Sequence, residues 1–216
     1  MRYNPDFVTL DYIRELLIPF LADDSLSSSQ LQSISDYLDL LLRWNARVNL
    51  TAVRDPSEIV QRHFGESLFA ARHALLHRPP NFTAIDIGSG AGFPGLALKI
   101  WWPELRLTLI ESNNKKVAFL REVVRTLKLE SVEVLAQRAQ EVVPQADLVT
   151  LRAVEKFDRV LPVSRRLMLP KAELVLLIGA DQVAVAKSAV PEVVWDAAIP
   201  LPLSQSRVLL IGRAER

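Results

Sequence analysis

The sequence predicts an α/β protein: a mostly parallel, twisted sheet with an antiparallel hairpin at its edge, preceded by an N-terminal helical extension. Three observations predict it. The first third of the chain places apolar residues at helical spacing. From about residue 81 onward, short apolar runs alternate with amphipathic stretches, which is the pattern of parallel βαβ units. The last two apolar runs are joined by PLPLSQS with no helical stretch between them, so they read as an antiparallel pair.

The elements follow in order. Residues 7–21 and 30–45 read as helices; in the second, Leu31, Ile34, Leu38, Leu41 and Leu42 recur at helical spacing, and Ser27 with Gln30 forms a capping box at its start. Residues 57–77 continue helically with Ile59, Val60, Phe64, Leu68 and Phe69 as the apolar set, and the paired prolines of HRPPN (77–81) end them. Strand one is Thr83–Ile87. Pro94 stands where a first helical turn accepts it, in a helix that reaches about Trp102. Strand two is Leu105–Ile110, followed by a helix from Lys115 to Lys128 with Val117, Leu120, Val124 and Leu127 inward. Strand three is Val132–Ala136, with a short helix near Arg138. Strand four is Leu148–Leu151, and a helix over Lys156–Leu169 carries Pro162 near its first turn. Strand five is Leu174–Gly179, a helix covers Gln182–Ala189, and Val193–Ala198 with Arg207–Arg213 form the edge hairpin.

The 216 residues suit one doubly wound domain with an added segment, or two small domains. The boundary falls at 80: residues 1–80 form the helical, substrate-facing segment and 81–216 the cofactor-binding domain. There is no cysteine, which excludes disulfides, thiolate metal sites and cysteine nucleophiles. Three histidines without cysteine make a poor metal site, and none is expected. The N-terminus does not resemble a signal peptide, and no apolar run is long enough to span a bilayer, so no membrane contact is expected. Net charge is only +1, yet two segments are basic. Arg43–Arg78 holds six arginines against three acids, and Arg152–Lys171 holds six basic residues against two. Together they can form one phosphate-facing surface, or each can be a solvated face with its own counter-charges.

The most informative stretch is FTAIDIGSGAGFPG at 82–95: an apolar run, Asp86, then Gly88, Gly90 and Gly92 on alternate positions. Glycines at a strand-to-helix turn let main chain approach a ligand without interference from Cβ. Counted from Gly88, the dinucleotide fingerprint G-x-G-x-x-G fails, because its third glycine would fall on Phe93. The alternating form is that of S-adenosylmethionine-dependent methyltransferases, hence a Rossmann-like class I methyltransferase fold. A merely flexible turn is the plainer alternative. Glu111 ends strand two, 23 residues after Gly88, where an acid meets ribose hydroxyls in doubly wound sheets. Arg138, Ala139 and Gln140 follow strand three; groups there are expected beside strand one, edging the adenine. Arg152 ends strand four at the cleft and can hold a phosphate or the cofactor carboxylate, or else pair with Asp147 or Glu155. Trp44, Asn45 and Asn49 offer a stacking plate and amide groups that either read a base or cap a turn. His63 and Arg62 lie on a helix and can face the cleft.

Taken together, WNARVNLTAVRD, RHFGESL, DIGSGAGFPGLAL, LIESNNKKVAFL and the Arg152-Ala153 pair resemble the small-subunit ribosomal RNA guanine-N7 methyltransferase family, historically called glucose-inhibited division protein B. The resemblance runs from about Trp44 to Gly179. It implies a cytoplasmic enzyme that methylates N7 of one guanine in the 530 loop of 16S ribosomal RNA, with the small subunit as partner; a monomer is expected. It matches Gly88 and Phe93 to cofactor-loop contacts, Ala139 and Gln140 to adenine-side contacts, and Arg152 to an arginine beside cofactor and cleft. Asn49, Arg47, Lys115 and Lys116 match recurrent motif positions. The positioning candidates are therefore Arg152, Asn49 and His63. The cofactor set is Gly88, Gly90, Gly92, Phe93, Glu111, Ala139, Gln140 and Arg152. The RNA-binding set is Arg47, Arg62, Lys115, Lys116, Arg165 and Arg166. Three positions depart from the family pattern: Gln140 replaces an acid, Gly65-Glu66 stands where another residue and aspartate are usual, and Ile178-Gly179 lacks a lysine. A small-molecule methyltransferase and a non-catalytic RNA- or protein-binding module are the rival readings.

Overall fold

The computed structural model describes residues 8–76, 78–152 and 157–215. Phe7, His77, Ala153, Glu155 and Lys156 therefore lie outside the described residues.

The helical extension comprises α1 (Leu10–Leu21), α2 (Ser28–Asn45), α3 (Pro56–Ile59) and α4 (Glu66–Ala74). The capping box at the start of α2 is present: Ser27 Oγ accepts from Gln30 N at 3.2 Å, and Gln30 Oε1 accepts from Ser27 N at 2.8 Å. The same glutamine donates to the carbonyls of Ile100 and Trp101, fastening α2 to the next layer. Where the periodicity reads one helix over 57–77, the structure inserts a π-helical segment, Val60–Gly65, between α3 and α4. All five apolar residues of that stretch are buried, as expected. The widened turn is invisible to apolar spacing because it redirects carbonyls rather than changing which side chains are inside. Gly65 closes it: a Cβ there would lie 2.6 Å from the Phe20 ring, so a glycine is what lets α1 pack this close.

The remaining elements are β1 (Thr83–Ile87), α5 (Gly95–Trp101), β2 (Arg106–Ile110), α6 (Asn114–Thr126), β3 (Val132–Leu135), β4 (Ala146–Arg152), α7 (Phe157–Arg166), β5 (Met168–Gly179), α8 (Val183–Ala189), β6 (Val193–Trp195), β7 (Ile199–Pro200) and β8 (Arg207–Ala214). Pro94 stands at the N-cap of α5, after a cis Phe93–Pro94 bond. Pro162 sits in the middle of α7 rather than its first turn, and that helix stops at Arg166 because Met168 pairs with Ala146 and opens β5. The edge hairpin exists as β6 with β8, and β7 adds two residues to the same strand.

The sheet order is β3-β2-β1-β4-β5-β8-β6. The first five strands are parallel and β8 is antiparallel to both neighbours. Strand alternation divides the core in two. Ala84, Leu107, Leu109, Leu148, Val175 and Leu177 face the helical extension, α5 and α6 in one continuous core. Ile85, Ile110, Val149, Leu151, Leu174 and Leu176 face the other side, packed with Phe157 and Leu161 of α7 and Ala186 of α8. The change at residue 80 is thus a change of pattern along the chain, not a gap in packing. The strand order reverses between β1 and β4, so the carboxyl ends of these two strands form the crevice in which such sheets take ligands.

Candidate active site

The crevice begins at the glycine turn. Gly88, Gly90 and Gly92 have φ of 66°, 55° and 90°, in the left-handed region that costs an L-residue about 1–2 kcal/mol. The turn is pinned by Ser89, whose N–H donates to Ile110 O at 3.0 Å and whose hydroxyl donates to Asp86 O at 2.9 Å. Two of these glycines do different work. A Cβ on Gly90 would meet only the Gly88 carbonyl, at 3.6 Å, so its main chain is bare. A Cβ on Gly92 would drive into the Tyr37 hydroxyl and the Leu96 side chain.

Glu111, buried at the end of β2, points at this turn. Its Oε2 accepts from Gly90 N at 3.0 Å and its Oε1 from Asn113 N at 2.8 Å. Each carboxylate oxygen keeps a further lone pair for a hydroxyl donor. Behind it lies Asp86, 1% exposed, whose Oδ1 accepts from Thr150 Oγ1 at 2.7 Å. Burial raises the Asp86 carboxyl to about 6, against the lowering effect of its hydrogen bonds, and the Glu111 charge adds to the rise.

Arg152 ends β4 across from the glycine turn, but its fork turns into the helical extension. It donates to Glu66 Oε2 at 2.8 Å, to the carbonyls of Arg62 and His63 on the π segment, and weakly to Ser67 Oγ. Asp147, one of the two expected partners, instead receives Thr83 N and Oγ1 at 2.9 and 2.6 Å. Glu66 is 1% exposed and also takes Arg207, at 2.7 Å. One buried carboxylate therefore joins β4, β8 and the helical layer. Glu66 meets one arginine with each carboxylate oxygen. Burial lowers the Arg152 guanidinium to about 10, with Glu66 opposing, so it stays cationic at neutral pH.

His63, on the π segment, shares a 2.7 Å hydrogen bond between Nε2 and Thr51 Oγ1 and stacks on Phe93 with ring centroids 5.1 Å apart. Burial, then the charges of Arg152, Arg62 and Arg207, lower it to about 3, so it is a neutral imidazole. Phe93 also stacks flat on Tyr37, at 5.2 Å and 2°. The Phe93 ring is thereby committed to protein, and what this residue offers a ligand is main chain. The Tyr37 hydroxyl donates to Ala91 O inside the glycine turn, and burial followed by the Asp86 charge keeps the phenol protonated.

The other sequence candidates divide. Lys115 and Lys116 open α6 beside Glu111, their N–H groups capped by Asn113 Oδ1. Ala139 and Gln140 begin a 3-10 turn after β3; Ala139 is buried and Gln140 exposed. They lie beyond β2 rather than beside β1, because β3 pairs with β2. Asn45 caps its loop, accepting from Leu50 N and Thr51 N, so the turn-capping alternative is the one realised. Asn49 is exposed and accepts from Arg54 at 3.0 Å. Arg47 is exposed, and Arg62 pairs with Glu58 at 2.8 Å. Arg165 and Arg166 do not join this surface. A crossover helix returns to the start of the next strand, so they sit at the amino edge, where Gln145 at the foot of β4 bonds the Arg166 carbonyl. Sequence reading missed two contributors and the partners of a third. Tyr37 falls in the apolar register of α2 between Ile34 and Leu38, a usable signal. Glu66 stands in the RHFGESL motif, where only its partners were open, and Arg207 carries no local signal.

Counted from Gly90, Gly95 stands at the third dinucleotide position, but a Cβ there would strike Leu109 and Asp86, so this glycine serves the packing of α5 on β1 and β2. A bare main-chain turn with a buried carboxylate laid over it fits the nucleoside of S-adenosylmethionine, and the protein is a methyltransferase of the Rossmann-like class. Solved structures agree on the fold: M. jannaschii TYW2 in complex with AdoMet has a TM-score of 0.56 at 13% identity, covering 68% of this chain and 75% of that one. A family model described as rRNA small subunit methyltransferase G matches residues 30–201, and the chain belongs to that family. The ribosomal RNA small subunit methyltransferase G of Roseiflexus sp. (strain RS-1) is 44% identical over 178 residues, covering 76% of this chain and 73% of the relative. That of Dichelobacter nodosus (strain VCS1703A) is 38% identical over 213 residues, covering 96% and 97%.

Proposed function

We propose that this protein transfers a methyl group from S-adenosylmethionine to N7 of a guanine in the 530 loop of 16S ribosomal RNA, acting in the cytoplasm as a monomer. The observation that carries the reading is the turn Gly88–Gly92 with Glu111 laid across it, at the switch point of the sheet. Family membership supplies the substrate class.

When bound, S-adenosylmethionine supplies a methyl group made electrophilic by its sulfonium centre. Gly88, Gly90 and Gly92 would cradle it with main chain, Glu111 would hold its ribose diol, and Ala139 with Gln140 would flank its base. N7 of guanine carries an in-plane lone pair at neutral pH, so these residues need not remove a proton from it. Positioning is the main task. A reaction that needs no base is consistent with His63, whose surroundings weaken its hold on a proton and whose Nε2 is bonded to Thr51. Arg152, anchored on Glu66, orders the π segment at the rim of the crevice instead of pressing a cation onto a base that gains positive charge. A guanine inside folded RNA must be unstacked to reach this depth. Arg62, Lys115 and Lys116 at the crevice side would hold the backbone around it.

The test is transfer of labelled methyl to unmodified 16S RNA and to small subunits lacking the modification, followed by mapping of the modified position. Label at a guanine N7 in the 530 loop supports the reading. Label only on small metabolites, or S-adenosylhomocysteine binding without turnover on any RNA, would replace it with one of the two rivals.

A further inference from the structure

Away from the glycine turn, a groove of about 700 Å³ opens between the end of α2, the loop after it and the outer face of α6. Trp44, half-buried with its ring edge-on to Phe119 at 5.7 Å, and Val48 form its apolar wall. Arg43, Arg47 and Arg54 line it against a single carboxylate, Glu122. The three guanidiniums are held differently. Arg54 is fixed by Asn45 O and Asn49 Oδ1, at 3.1 and 3.0 Å. Arg43 leans on the Asp39 carbonyl at 3.3 Å. The exposed Arg47 side chain has no hydrogen bond or ion pair among the described residues.

An indole in a groove whose charge sums to a net cationic excess is the composition of a single-strand nucleic-acid platform: a flat ring for a base and arginines for the adjoining phosphates. The groove is also connected to the crevice. Helix α6 carries Lys115 beside Glu111 and Glu122 in the groove, about 10 Å apart along the helix axis. The loop that follows Arg47 returns through Thr51 to His63, which stacks on Phe93 of the glycine turn.

Resting on the proposed reaction, we infer that this groove holds an unpaired ribonucleotide flanking the target guanine, with its base on Trp44 and its phosphates on Arg47 and Arg43. The extruded guanine and this second nucleotide give two anchor points on one RNA strand. The occupant is RNA rather than a protein segment because the groove's excess charge is cationic and its one free cation among the described residues, Arg47, is exposed at the edge.

The test compares two RNAs: the target loop with its flanking single-stranded nucleotides, and the same loop trimmed of them. Dissociation constants are measured by fluorescence anisotropy at several salt concentrations for wild type, Trp44→Leu and Arg47→Glu. Leucine preserves an apolar contact on Phe119, and thermal denaturation checks that each variant is folded. Each variant is expected to bind the flanked RNA about tenfold more weakly while binding the trimmed RNA as wild type does. For Arg47→Glu the salt dependence should lose about one phosphate contact. Affinity for S-adenosylhomocysteine should not move. Flanked-RNA affinity equal to wild type in both variants would overturn the inference. So would equal losses on both RNAs, or weakening seen only on assembled subunits, which would make the occupant a ribosomal protein. Failure of the methylation reading shows separately, as wild-type enzyme that leaves the flanked RNA unmethylated.

Discussion

Gly90 and Gly92 share a backbone conformation and differ in what surrounds them, so alanine should separate them. Gly90→Ala pays mainly the left-handed backbone cost, about 1–2 kcal/mol, but places a methyl where the cofactor would lie. Near-normal urea denaturation with loss of S-adenosylhomocysteine binding is expected. Gly92→Ala adds overpacking against Tyr37 and Leu96, and should lose about 3 kcal/mol of stability before any effect on binding is considered. Glu111→Gln keeps the shape over Gly90 and removes the charge-assisted acceptor for the diol. Calorimetry should show affinity for S-adenosylhomocysteine reduced about tenfold, a loss of the order set by one charged hydrogen bond. Unchanged affinity would mean that the diol is held elsewhere. Glu66 sits between two arginines, and Glu66→Gln leaves Arg152 facing Arg207 without compensation. Breaking a buried pair in this way costs about 3–5 kcal/mol, which a denaturant midpoint would register.

At the scale of elements, the contact that joins the helical layer to the cofactor loop is aromatic. Tyr37 of α2, Phe93 of the turn and His63 of the π segment form one stack. Its histidine and the nearby Asp86 give the fold opposite responses to pH. His63 falls from 6.5 to about 3 on folding, so the unfolded chain takes up a proton that the folded protein refuses, and stability is lost as pH drops below 6.5. Asp86 rises from 3.8 to about 6, so the folded protein keeps a proton the unfolded chain has shed, and that contribution is lost as pH rises through 6. Wild type should therefore lose stability relative to His63→Gln as pH is lowered from 6.5 to 4. Asp86→Asn should gain on wild type as pH is raised from 4 to 6. Parallel curves of denaturation midpoint against pH would show that neither group is shifted by folding. Both responses arise from burial between layers, which explains why the strand boundaries were legible in the chain while the state of these side chains was not. The π segment is a similar case: its apolar residues are all inside as the spacing requires, and only the arrival of Arg152 from β4 shows where its carbonyls point.

For the whole molecule, the near-neutral charge conceals a difference between the two edges of the sheet. Arg62, Lys115 and Lys116 belong to the carboxyl side, and Arg165 and Arg166 to the amino side. Binding to 16S RNA should weaken with salt, at a slope set by the phosphates contacted. Replacing Arg165 and Arg166 together by glutamine should leave that slope unchanged; a reduced slope would show RNA wrapping to the far edge. Composition left open a single basic surface or two solvated faces; connectivity takes Arg165 and Arg166 out of any shared surface, since α7 carries its last turn away from the crevice.

The chain alone determined the parallel sheet, the glycine turn and the acid that closes it, because each is written in neighbouring residues: apolar alternation, left-handed turns that only glycine adopts cheaply, and a fixed spacing from one strand end to the next. The partners of Arg152, the stack on Phe93 and the separation of the basic residues were decided only by the tertiary structure. Tyr37 meets Ala91 across 54 residues and Arg207 meets Glu66 across 141. No local pattern records such meetings, because they depend on which layer packs against which strand end.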